Sequence, residues 1–153
     1  MQTFHLLPRH IFSLLLTGVL FFSTIHFSYA GKEGGLIDHM AKAQYFTHKT
    51  GLALHADNFK LAKFYTHELE EVIEILEEFG DYKNMPVGKM TKTILIKEFK
   101  VLENAINAGH KKPAINAFNN LLKSCNKCHT ATNHEFIKIK FNKANPFLQS
   151  FKK

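Results

Sequence analysis

The chain has 153 residues, a formal charge of +7, no tryptophan and only two cysteines. That length supports a single domain with its own core and excludes a small scaffold that depends on disulfide staples. The lysines are scattered rather than gathered into a dense basic stripe, so a nucleic-acid partner is not expected.

At the N-terminus, Arg9 and His10 precede an apolar run from Ile11 to Phe22, and Ser28-Tyr29-Ala30 presents small residues around a cleavage position. This pattern reads as a signal peptide over residues 1–30, cut after Ala30. The apolar run is shorter than the roughly 20 residues that span a bilayer, so membrane attachment would require the signal to stay on as an anchor. No cysteine lies near the cut, which speaks against a lipid-modified one. Arg9 is the single charged residue of the leader, so residues 31–153 carry one positive charge fewer than the whole chain. They are expected to form one domain.

Four segments of that domain have helical periodicity. The first, residues 36–54, places Ile37, Ala41, Gln44, His48, Gly51 and His55 on one seam, with Met40 beside it. The second, residues 57–79, carries Asn58, Ala62, Tyr65, Leu69, Val72, Leu76 and Phe79 inward, with Asp57 as N-cap and Gly80 as the C-terminal glycine. Its outer face is rich in glutamate from Glu68 to Glu78. A turn over Lys83–Gly88 leads to the third, residues 91–108, with Leu95, Phe99, Leu102 and Ile106 inward and Gly109 as its stop. The fourth, residues 112–132, has Pro113 in its first turn and aligns Ala114, Ala117, Phe118, Leu121 and Cys125. Short connections between helices of similar length predict an all-α fold, an antiparallel up-and-down four-helix bundle. Residues 133–153 hold four phenylalanines, too apolar for a disordered segment, and read as an extended C-terminal tail laid over the bundle.

The chemistry concentrates at Cys125-Asn126-Lys127-Cys128-His129. Two thiols three residues apart followed by histidine match a c-type haem attachment site, in which Cys125 and Cys128 form thioethers to one porphyrin and His129 binds the iron. Three other uses fit less well. A thioredoxin-like dithiol opens a helix after a strand, whereas this motif closes a helix. Structural zinc needs four ligands, and His134 would have to supply the last at an unusual spacing. A disulfide between Cys125 and Cys128 would close a very short loop. Since c-type haem is attached outside the cytoplasm in bacteria, the motif and the leader agree on a periplasmic protein.

A helical bundle whose last helix ends in C-x-x-C-H resembles the class II c-type cytochromes, the cytochrome c prime group and its low-spin relatives. The resemblance covers residues 36–132. It implies one covalent haem c on Cys125 and Cys128, His129 as proximal iron ligand, and pairing of two copies through helices one and two. Unlike typical members, this chain continues well past the motif. His129–Ile137, Asn145-Pro146-Phe147 and Asn58–Tyr65 resemble a group of uncharacterised exported bacterial haem proteins.

On the distal side, Met40 and His48 of the first helix are the candidate sixth ligands; Met85 and Met90, near the helix two to helix three connection, remain open. A filled sixth position suits electron transfer, with an acidic redox protein as partner for this basic chain. An open one suits binding of nitric oxide or carbon monoxide by a sensor or scavenger. No triad, phosphate loop or distinctive carboxylate pair appears, so an enzyme is not expected.

Overall fold

The structure is a computed structural model that describes residues 35–153; the leader expected over residues 1–30 lies outside them. The described chain is all-α apart from one two-stranded hairpin. In order it contains α1 (Leu36–His55), α2 (Phe59–Glu77), β1 (Asp81–Tyr82), β2 (Met85–Pro86), α3 (Val87–Met90), a π-helical turn (Thr91–Leu95), α4 (Ile96–Asn107) and α5 (Lys111–Ala131). Helix α1 packs along α2, α2 on α4, α4 on α5, and α5 returns to α1. Among the described residues no helix is long and apolar enough to cross a membrane.

The core is built from Leu54 of α1, Ala62 and Leu69 of α2, Phe99, Leu102 and Ile106 of α4, and Ala114, Phe118 and Leu121 of α5. The seam expected for α2 is observed, since Ala62, Tyr65, Leu69, Val72 and Leu76 are all buried. The outer glutamates of α2 are not all free in solvent. Glu70 accepts a hydrogen bond from Lys100 of α4, which holds its carboxyl below the usual carboxylate range.

The seam expected for α1 is displaced. Ile37 is 73% exposed, and Ala41 and Gln44 are exposed too. The buried face instead includes Leu36, His39, Thr47, Thr50, Ala53 and Leu54. The expected seam is covered only in its second half, and by the tail. Phe141 stacks on His55 at 4.6 Å and crosses His48 at 5.8 Å. Gly51 is where this ring meets α5, since a Cβ there would fall 2.6 Å from Phe118 and against Phe141.

Two boundaries also differ from expectation. Asp57 does not cap α2; it adopts φ 60°, and the side chain of Asn58 accepts the Leu61 N–H instead. Asp57 is the left-handed residue that ends α1, with its own N–H on the Leu54 carbonyl and that of Asn58 on Ala53. Helix α2 stops at Glu77, before Gly80, and no left-handed φ occurs at that glycine.

The expected turn over residues 83–88 resolves into more structure. Lys83 and Asn84, at φ 48° and 64°, form a two-residue hairpin loop of the kind that needs positive φ at both positions. The third helix then begins at Val87 rather than near Thr91. Gly88 allows this early start because its backbone lies against the Glu77 and Phe79 carbonyls, where a side chain would collide. Gly109, at φ 72°, ends α4 as expected.

The tail is extended and follows α1 and α5. Phe151 is buried in the core, and its carbonyl accepts from Asn58 Nδ2 at 3.2 Å. Lys49 holds the same region. Its ammonium is flanked by the rings of Tyr45, Tyr65 and Phe147 at 4.6–4.9 Å and donates to Gln149 Oε1 at 3.1 Å.

Candidate functional site at the end of α5

Cys125, Cys128 and His129 occupy the last two turns of α5, all half-buried. A helix puts residues three and four apart on one side, so the three side chains share a face. The helix ends immediately afterwards, and its ending shapes the site. Asn133 takes the left-handed conformation at φ 57°, the N–H of His134 bonds to the His129 carbonyl at 2.7 Å, and that of Asn133 to Thr130 at 3.2 Å. This is the hydrogen-bond pair that closes helices through a left-handed residue, a role that asparagine tolerates better than most. It reverses the chain onto the motif.

The reversal brings Ile137 back to His129. The histidine Nδ1 lies 2.8 Å from the Ile137 carbonyl oxygen. A carbonyl only accepts, so Nδ1 is the donor of this pair, and a neutral imidazole held this way has its lone pair on Nε2. One bond thus fixes the tautomer and ring orientation that a metal-binding imidazole needs.

Asn126, between the two cysteines, anchors the same strand of tail. Its Oδ1 accepts from the Ile139 N–H at 2.7 Å while its Nδ2 donates to the Ile139 carbonyl at 2.8 Å and to Leu122 at 3.0 Å. An extended segment with no sheet partner needs such side-chain bonds to satisfy its backbone.

Both cysteines are free thiols. Burial pushes the Cys125 thiol up to about 12, and the neighbouring Cys128 adds to the effect. Burial raises Cys128 as well, with Lys127 opposing. A dithiol oxidoreductase requires a depressed thiol pKa at a helix N-terminus. These thiols have the reverse shift and sit at a helix C-terminus. Among the described residues no three His, Cys, Asp or Glu side chains converge on a metal-sized position, so a structural zinc site is not assembled. The donor set does suit a divinyl porphyrin. Two neutral thiols one turn apart would add across its vinyl groups, and the imidazole would present Nε2 to its iron.

The candidate distal residues fall in different surroundings. Met40 is half-buried beside Leu36, Val72, Leu76 and Val87. His48 is engaged by the tail, its Nε2 2.8 Å from the Asn142 carbonyl and its ring tilted on Phe147. It borders a groove of about 330 Å³ between α1, α5 and the tail, with Ala41, Gln44, Phe118, Leu122 and Phe141 among its walls. Met85 and Met90 are half-buried.

One residue at this end was not singled out from the sequence. His39 is 2% exposed, and neither ring nitrogen has a hydrogen-bond partner. An unsatisfied buried polar group costs about 1–3 kcal/mol, so a bare imidazole here is expensive. Its signal was the i, i+3, i+4 spacing of Leu36, His39, Ala43 and Phe46, which competes with the seam through Ala41 and His48.

No protein-family model, no curated protein and no solved structure matches this chain.

Proposed function

We propose that this chain is an exported mono-haem c-type cytochrome that carries single electrons in the bacterial periplasm. The reading takes Cys125 and Cys128 as the thioether residues and His129 as the proximal iron ligand. The observation that carries it is the 2.8 Å bond from His129 Nδ1 to the Ile137 carbonyl, which leaves Nε2 available to a metal. When bound, the haem supplies a one-electron couple between ferric and ferrous iron.

The chain's own residues then have defined tasks. Cys125 and Cys128 fix the porphyrin covalently, so that it is retained in both oxidation states. Asn126 clamps Ile139 and thereby holds the tail strand that bears the Ile137 carbonyl. Leu36, Val72, Leu76 and Val87 make the motif end of the helices apolar, which limits water and tunes the potential. The positive surface favours docking to acidic electron-transfer proteins.

The architecture belongs to the same reading. Gly51 of α1 abuts Phe118 of α5, while Ala41 and Gln44 line one groove with Leu122. The start of α1 therefore runs toward the end of α5, as in an antiparallel up-and-down four-helix bundle, and the resemblance to class II c-type cytochromes rests on this order together with C-x-x-C-H.

Co-expression with c-type haem attachment machinery tests the proposal. A red product whose haem survives denaturation and acid extraction is expected, with Cys125→Ser and Cys128→Ser each losing one thioether in the alkaline pyridine spectrum. A colourless wild-type product would end it.

A further inference from the structure

We infer that His39 would supply a second histidine ligand to the iron in addition to His129; the inference rests on the haem reading above. Four observations lead there. His39 is almost fully enclosed and, among the described residues, neither ring nitrogen has a partner, although the other two histidines of α1, His48 and His55, each bond a backbone carbonyl. A buried neutral imidazole has one lone pair and one N–H to satisfy, and coordination uses the lone pair.

The second observation is position along α1. Where Gly51 meets Phe118 and Ala41 lies across the groove from Leu122, moving toward the start of α1 moves toward the end of α5. His39 lies just before Ala41, and Cys125 to His129 follow Leu122.

The third is an independent route to the same end. The His39 ring meets Phe79 edge-on at 6.1 Å, and the Phe79 carbonyl accepts from Gly88. The short helix Val87–Met90 runs straight into the π-helical turn Thr91–Leu95, which packs on α5. Thr93 and Ile94 of that turn share a second groove with Ser124 and Lys127, the residues that flank and enter the motif.

The fourth concerns the competing candidates. His48 has its Nε2 on Asn142 and lies under the tail, and Met40 packs as an apolar side chain among Leu36, Val72 and Val87, needing no further partner. Among the described residues, the other buried side chain of α1 without a hydrogen-bond partner is Thr50, whose hydroxyl is a poor iron ligand, so His39 is the one with a nitrogen lone pair to give.

The step is a simple coordination. With haem bound, His39 would donate a nitrogen lone pair to the iron, with no proton or electron transferred. A bis-histidine iron is six-coordinate and low-spin in both oxidation states, which suits electron carriage and leaves no position for a gas.

The test uses the full chain matured with covalent haem. Wild-type protein is expected to give sharp reduced bands unaffected by carbon monoxide, and a near-infrared magnetic circular dichroism band of the bis-imidazole type. His39→Ala should keep its covalent haem, lose the low-spin spectrum and bind carbon monoxide, and added imidazole should restore the wild-type bands. A thioether-type band in the wild type, abolished by Met40→Leu, would overturn the assignment. So would a five-coordinate wild-type iron, which is read without any variant and is thus independent of how His39→Ala folds. Absence of covalent haem from the wild type would instead overturn the haem reading and this inference with it.

Discussion

His129 Nδ1 and the Ile137 carbonyl oxygen stand 2.8 Å apart, joined by a chain reversal only eight residues long. The reversal depends on two asparagines with different tasks. Asn133 accepts the left-handed backbone that ends α5, and Asn126 then grips the returning strand at Ile139.

Asn126→Ala removes both bonds to the Ile139 backbone. Each is worth about 1 kcal/mol, so a loss of about 2 kcal/mol in unfolding free energy is expected. Amide exchange at Ile139 should accelerate together with that at Ile137, whose own N–H bonds the His134 carbonyl. Unchanged exchange at both amides would show that the strand is held by other means.

Gly51→Ala offers a sharper contrast. In an ordinary helix interior the change stabilises by about 1 kcal/mol. Here the new Cβ would press on Phe118 and Phe141, and overpacking costs about 1–3 kcal/mol, so urea unfolding should give a net loss. A gain in stability would mean that the tail does not lie on this face in solution.

These contacts also explain what the sequence disclosed. The face Ala62–Tyr65–Leu69–Val72–Leu76 was readable because α2 is covered on one side only, so a single 3.6-residue period describes it. Helix α1 is covered twice: Leu36, His39 and Thr50 are buried on one side, while Gly51, His48 and His55 lie beneath Phe141. One period cannot describe two covered faces, and the seam drawn through Ile37 and Ala41 followed the tail's face into solvent. The early start at Val87 and the π-helical turn depend on Gly88 fitting between two α2 carbonyls, a long-range contact without local spacing. The motif was legible because Cys125, Cys128 and His129 are adjacent in sequence. Their support from Ile137 and Ile139 was not, because backbone carbonyls and amides leave no residue signature.

The free thiols predict a pH dependence. Burial holds Cys125 near 12, whereas an unfolded thiol titrates at about 8.5. A group whose folded pKa is raised contributes its full stability below the unfolded value, and that contribution declines as pH climbs toward the folded value. Thermal stability should therefore fall between about pH 8.5 and pH 12, and Cys125→Ser should flatten that fall. Alkylation by iodoacetamide at pH 8 should label Cys125 far more slowly in the folded than in the urea-unfolded chain. Equal rates would exclude the buried, neutral thiol.

Lys49 is a buried cation, with 8% exposure. Burial works against its charge, but the hydrogen bonds and charges of Tyr45 and Tyr65 outweigh it and hold the amine above its ordinary value. Lys49→Ala should cost about 2 kcal/mol, the scale of desolvated contacts between a cation and aromatic rings. Limited proteolysis should then cut within residues 143–153 first. An intact tail in the variant would assign its retention to Phe151 and Asn58 instead.

The strand that orients His129 has an effect on the order of events during synthesis. Translation delivers Cys125, Cys128 and His129 before Ile137 exists, and Ile139 later still. Phe151 and Gln149, which secure the far end of the tail, come after all of them. Until Ile137 folds back, the His129 imidazole is free to rotate and to choose either tautomer. Return of Ile137 locks the ring, and Phe141 then closes over Gly51. The His129 ring thus has an early mobile state and a late oriented one, separated by the eight residues that return Ile137 to it.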